Sequence, residues 1–324
     1  MLKFFKSKKW FAWAYLGGLL LIGLLVAQTV LAVKLNYWYK LFYDILQNVQ
    51  DHTLYEFWGA LKMFLYIVCP YVVLIAFTNF ISRMYTLRWR EAITFDLAYK
   101  WLSNWQYIEG ASQRIQQDTE RFAKIVESLG LEIVKGIMVL IAFLPILWSL
   151  SNDLELPFLG VIPGSLVWVA LIISLSGIVV SWFVGSKLPK LEYNNQKTEA
   201  AFRKDLVIGE DDRTSTSMYV LKDLFRSLKY NHEKLFVHLS YFDLWASMYG
   251  QVVVIIPYLI GGVGLFSGVL TLGMLVQIAN CFGKVHESFS ILLNRWTAVT
   301  ELRSIYIRLN EFYKLLRSED ETHI

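Results

Sequence analysis

Between Tyr107 and Pro145 the sequence reads YIEGASQRIQQDTERFAKIVESLGLEIVKGIMVLIAFLP, carrying acidic and basic residues straight into an apolar run of membrane length. Few folds accept such a stretch. Read as a helix from about Asp118 onward, it places Glu120 and Glu127 seven residues apart on one face, which Leu131, Val134 and Met138 continue. Glu132 and Lys135, at i and i+3, share another face and can neutralise each other. An ionisable side chain at membrane depth is costly unless paired or hydrated, so Glu127 is expected to face a bundle interior or a water-filled cavity. That makes it the first functional candidate; the plainer alternative is the snorkelling end of a membrane helix.

Composition gives the class. Hydrophobic residues are 56% of the 324 and the mean hydropathy is +0.43, more than a soluble core of this size requires. The chain reads as an all-α, polytopic membrane protein. Aromatics at 16%, with 12 Trp, suit the interfacial belts that anchor helix ends. Cys69 and Cys281 both lie in apolar runs and read as small packed hydrophobes, so neither a disulfide nor a metal site is expected. The net charge of +4 is spread over segments that flank apolar runs, which topology explains better than a nucleic-acid partner.

Six spans are expected, at about 10–33, 57–81, 122–150, 165–185, 235–260 and 270–294. The first follows Lys3, Lys6, Lys8 and Lys9; it is too long for a signal peptide and lacks a small-residue cleavage site, so it is read as retained. Cytoplasmic excursions follow at 82–121, helical with no proline and one glycine, Gly110, and at 186–234, with a cytoplasmic tail at 295–324. The polar stretch 151–164 and the glycine-rich run Gly261–Gly268 are expected to turn outside. The N-terminus, the two excursions and the tail hold 4, 6, 10 and 5 basic residues, 25 of the 31, which places both ends in the cytoplasm. Six spans with long inner and short outer loops are the plan of an ABC-exporter-type transmembrane domain. No G-x-x-x-x-G-K-[ST] phosphate loop occurs, and about 30 residues after the sixth span cannot hold a nucleotide-binding domain. No cofactor is implied.

The second excursion repeats the acidic theme. If helical after Pro189, it aligns Glu192, Gln196, Glu199 and Arg203, and Glu210 returns to the same face. A solvated face with pairs such as Glu199 with Arg203 is one reading; a proton relay, its carboxylates partly dried by a cavity, is the other. His238 and His286, near the ends of the fifth and sixth spans, read as structural, and Lys284 with Glu287 as an i, i+3 pair. Tyr37, Trp38, Tyr39 and Tyr43 could line an outward cavity and meet a peptide, or form an interfacial belt.

A series of ordered motifs then carries a resemblance over nearly the whole chain. Ile108-Glu109-Gly110-Ala111, Gln113-Arg114 with Asp118, Arg121-Phe122, Leu140 to Pro145, Lys187-Leu188-Pro189, Glu199-Ala200-Ala201 with Arg203-Lys204, Gly209 to Asp212 and Ser304-Ile305-Tyr306 resemble the SbmA/BacA peptide transporters. The QR-x-x-x-D segment is also similar to that of peroxisomal fatty-acyl ABC transporters. The resemblance implies a homodimer in the lipid bilayer of the bacterial inner membrane, importing peptides, including peptide-derived antimicrobials, by proton coupling. It places the essential glutamates at Glu127, Glu199 and Glu210, with Glu109 and Glu192 as further acidic positions. Two departures stand out: family members commonly carry an additional N-terminal segment, and Gln117 stands where an acidic residue is expected. Two other functions compete with proton-driven import: a membrane subunit that recruits a separate ATPase chain for peptides or lipid-like substrates, and a non-transporting protein acting on envelope lipids.

Overall fold

A computed structural model describes residues 3–103, 108, 110–152, 155–156, 160–212, 214–291 and 295–317. The chain is all-α as expected, apart from a two-residue antiparallel ladder, β1 (Glu155–Leu156) with β2 (Gly160–Val161), inside the 151–164 loop. The principal helices are α1 (Gly18–Gln47, entered through a π-helical turn Ala12–Gly17), α2 (Leu54–Leu102), α3 (Thr119–Leu150), α4 (Ser165–Gly185), α5 (Leu188–Asp211), α6 (Met218–Phe266), α7 (Leu272–Phe289) and α8 (Trp296–Arg317). Five helices among the described residues are long and apolar enough to cross a membrane: Ala12–Gln47, Leu54–Leu102, Ala111–Leu150, Ser165–Gly185 and Met218–Phe266. Only 11% of the most apolar window of α2 is buried, so its apolar side chains face outward, as a lipid-facing helix requires. The chain is a polytopic membrane protein. The sixth expected span, 270–294, falls on α7, which is not one of those five; it carries Lys284, His286 and Glu287 near its end and buries Leu275, Ile278, Phe282 and Val285.

Two of the expected loops take a different form. The 82–121 excursion is not one helix: α2 ends at Leu102, and Gly110 adopts φ +72, where a β-carbon is strained, before helix resumes at Ala111. The glycine-rich run is mostly helical, since α6 continues to Phe266 and the turn is confined to Ser267–Leu270 around Gly268 at φ +76. Gly261 lies within this helix and packs close to Leu275; a β-carbon there would lie 2.5 Å from Leu275 Cδ1.

The helices group into two units, Met1–Ala170 with Pro257–Ile324, and Leu171–Ile256. In the first, α1 packs on α2, α3 and α7, and α8 lies against α3 and α2. Ile305, Leu309, Phe312 and Leu316 recur at i, i+4, i+7 and i+11, forming a stripe on α8 that closes a core with Ile93, Leu97, Ala111 and Phe122. Polar contacts fix the registers. Gln28 Nε2 donates to Thr78 Oγ1 at 2.6 Å between α1 and α2, and Asn36 Nδ2 donates to the buried Cys281 Sγ at 2.6 Å between α1 and α7. Thr53 and Glu56 form a capping box that starts α2. Two α1 side chains complete the cap of α7: Asp44 Oδ1 accepts from Gly273 N at 3.1 Å, and Gln47 Oε1 from Leu272 N at 2.6 Å.

The second unit is an antiparallel hairpin of α6 against the end of α4 and all of α5. Its contacts step evenly along both arms: Tyr249 Oη donates to the Ile173 carbonyl at 2.9 Å, Trp245 Nε1 to Ser181 Oγ at 3.0 Å, Phe202 meets Phe225 edge on, and Thr216 Oγ1 donates to Asp205 Oδ2 at 2.6 Å.

Candidate functional site

The segment Ala111–Glu132, where charge enters the first unit, collects ionisable residues from three helices. It begins with a turn Ala111–Gln113 and a π-helical turn Arg114–Asp118, one residue wider than α-helix, which ends with the Asp118 carboxylate directed inward. Asp118 is buried and held in a fork by α8: Arg308 Nη2 donates to Oδ1 at 2.9 Å and Nε to Oδ2 at 3.1 Å. Arg114, four residues earlier, lies over the Phe312 ring at 5.5 Å. The QR-x-x-x-D motif therefore seats the C-terminal helix. A second contact of the same kind joins Tyr313 Oη to Asp96 Oδ2 at 2.9 Å; burial, then the Asp96 charge, raises the tyrosine hydroxyl above the ordinary phenol range.

Every described acidic neighbour of Glu127 along α3 is bridged. Glu120 holds Arg90 of α2 at 3.1 Å and Lys124 at 2.6 Å. Glu132 is gripped by Arg295, whose Nε donates at 2.7 Å, a long-range fork that replaces the expected pairing with Lys135. Glu127 alone differs: partly buried, it makes no hydrogen bond or ion pair among the described residues, and Arg83 of α2 acts on its charge without a bridge. The face it shares with Leu131, Val134 and Met138 leads to a groove of about 610 Å³ between α1 and α3, lined by Met138, Ile141, Val30, Lys34 and Tyr37. A second groove of about 630 Å³ between α1 and α2 also has Tyr37 in its wall, with Lys40, Asp44, His52 and Glu56. Of the four aromatics singled out in this region, Tyr37 lines both grooves. Trp38 does not take part: it is 5% exposed and its Nε1 donates to the Ala60 carbonyl at 2.8 Å, which makes it core.

Glu192, Glu199 and Glu210 lie on the single helix α5 of the second unit and all three are exposed within the chain. Glu199 does not pair with Arg203. Its Oε1 lies 3.2 Å from His232 Nε2 on α6, and His232 Nδ1 in turn lies 3.3 Å from Nδ2 of the buried Asn195. His232 was invisible as a candidate because its partners lie 33 and 37 residues away; only the regular register of the hairpin brings them opposite. Beyond Glu210, Asp212 ends α5 and ties the following turn through Ser215 Oγ at 2.6 Å and through the Thr214 hydroxyl and amide at 2.7 and 2.9 Å. Those bonds lower its pKa from the ordinary 3.8 to about 2. Glu109 lies outside the described residues. His238 Nδ1 meets the Lys234 carbonyl at 2.9 Å and Lys284 pairs with Glu287 at 3.2 Å, both local contacts. Among the described residues no three His, Cys, Asp or Glu side chains cluster as metal ligands.

The sequence aligns with relatives over nearly its whole length. The inner membrane ABC transporter ATP-binding protein YddA of Escherichia coli (strain K12) is 24% identical over 319 residues, which cover 92% of this chain and 56% of that protein. The chloroplastic ABC transporter D family member 2 of Arabidopsis thaliana is 26% identical over 315 residues, covering 91% of this chain and 42% of that protein. An ABC transporter ATP-binding protein of Synechocystis is 25% identical over 330 residues, covering 96% of this chain and 47% of its own length. The chain thus spans about half the length of these relatives. The profile of the SbmA/BacA-like family matches residues 7–317, and the chain belongs to that family.

Proposed function

We propose that the protein is a proton-driven secondary transporter that imports peptides and peptide-derived antimicrobials across the bacterial inner membrane, working as a homodimer with both termini in the cytoplasm. The observation that carries the reading is Glu127, the one carboxylate of its run that no cation bridges. A carboxylate at membrane depth without a fixed counter-ion gains and loses a proton at lower cost than one locked in a fork, which suits a relay. Glu199 and Glu210 extend the relay on α5, with Glu192 and Glu109 as further acidic positions. The two-fold assembly explains why α5 leaves its glutamates exposed in one copy: a second copy would supply the missing cavity wall. The grooves walled by Tyr37 offer apolar surface with Lys34 and Lys40 at hand, suited to an extended peptide.

A second reading has its own support, since the relatives are named as ABC transporter ATP-binding proteins. In it the chain is the membrane part of a pump that draws on a separate ATPase, for peptides or lipid-like substrates. Purified protein in liposomes with an imposed pH gradient and no nucleotide separates the two. Gradient-driven uptake of a labelled peptide, abolished by a protonophore, supports the proton-driven reading; uptake only on addition of an ATPase and ATP overturns it.

A further inference from the structure

The geometry points to Asn195, His232 and Glu199 acting as one proton-binding unit, with His232 as the positioning partner that sets when Glu199 exchanges its proton. This inference rests on the proton-driven reading. The carboxylate oxygen at 3.2 Å from Nε2 requires that nitrogen to carry the hydrogen, and the Asn195 Nδ2 at 3.3 Å from Nδ1 requires the other nitrogen to accept. The neutral imidazole is thereby held in one tautomer.

The unit also accepts a second proton without breaking. Asn195 is buried, 6% exposed, and its Oδ1 has no partner among the described residues. If the amide turns over, Oδ1 faces Nδ1 and accepts from it, so a proton taken from water at Nδ1 finds a hydrogen-bond acceptor already in place. The imidazole then changes from neutral to +1 against the Glu199 carboxylate, while Nε2–H continues to donate to Oε1. A purely structural histidine has no need of a partner that serves both states.

The surrounding charges leave Glu199 as the group that acts. On the facing helix α5, Glu192 and Arg203 lie one turn to either side of the Asn195–Glu199 pair. On α6 itself, Lys229 is bound to Glu233 at 3.7 Å and Lys234 lies over the Tyr230 ring at 4.1 Å. Phe236 closes one side of the imidazole, ring centres 5.5 Å apart. The contact joins α5 to α6, so its charge state acts on the junction of the two arms.

The experiment has two arms on the full chain. In nanodiscs, nitrogen NMR of histidine-labelled protein follows His232, assigned by its loss in His232→Gln. Glu199→Gln is expected to change the His232 nitrogen signals, because the carboxylate that accepts from Nε2 is gone, and Asn195→Ala to broaden the tautomer preference. Unchanged His232 nitrogen signals in Glu199→Gln overturn the unit. In proteoliposomes, His232→Gln is expected to flatten the dependence of uptake on pH between about 5 and 8, the range over which a histidine changes charge. A wild-type profile in that variant, with gradient-driven uptake intact, also overturns it. If the wild type itself shows no gradient-driven uptake while the nitrogen signals couple as expected, the proton-binding unit stands and the proton-driven reading falls.

Discussion

Arg308 holds Asp118 through two hydrogen bonds, at 2.9 and 3.1 Å, across 190 residues of sequence. The carboxylate is 5% exposed and the guanidinium 45%, so the pair is anchored on its buried member. Replacing Arg308 by Ala leaves that carboxylate buried without its cation, at a cost of about 2 kcal/mol, toward the lower end for hydrogen bonds to charged groups because water reaches the arginine. Thermal unfolding in detergent is expected to show a lowered midpoint for Arg308→Ala. Adding Asp118→Asn is expected to restore part of it, because the orphaned charge is gone. A double variant no better than the single one would show that the charge is not what destabilises.

Glu127 has no fork to lose, so its replacement tests function rather than folding. Glu127→Gln keeps the shape but cannot carry a proton, and it is expected to insert and dimerise normally while losing proton-coupled uptake. Glu199→Gln and Glu210→Gln are each expected to suppress uptake with the same unchanged assembly. Normal transport in both α5 variants would return that stripe to ordinary surface charge and confine the relay to α3.

At Gly273 the start of α7 packs directly against α1. A β-carbon there would run into the Lys40 carbonyl and the Asp44 carboxylate that caps the helix. Gly273→Ala is therefore expected to destabilise by about 2 kcal/mol, as overpacked sites do, with backbone on one side unable to give way. Gly262→Ala, with nothing within 4 Å of its would-be β-carbon, serves as the control. Equal melting temperatures for the two variants would contradict the tight crossing.

The turn between α5 and α6 has a pH signature. Asp212 titrates at about 2 in the folded turn against an ordinary 3.8, so the folded form prefers the ionised carboxylate. Its contribution is complete above about pH 4 and is lost as pH falls through about 2. Amide exchange at Thr214 is expected to accelerate in that window in the wild type and to be fast at all pH values in Asp212→Ala. Slow exchange at neutral pH in the variant would show that the turn is held by other contacts.

Local periodicity was enough to determine the all-α class and the membrane-length runs, because apolar burial and helical spacing are properties of contiguous sequence. It also placed Glu120 and Glu127 on one face. Partner choice was not legible. Neighbours at i+3 and i+4 nominated Lys135 for Glu132 and Arg203 for Glu199, yet tertiary packing supplied Arg295 and His232. The physical reason is that exposed pairs along one helix gain only a few tenths of a kcal/mol, roughly 0.3–0.5, and yield readily to partners that packing brings in from elsewhere in the chain. The same holds for Trp38: whether an aromatic lines a groove or fills the core depended on which helix came to lie beside it. Composition made this a membrane protein; the crossings of its helices decided which of its charges are locked and left Glu127 unbridged.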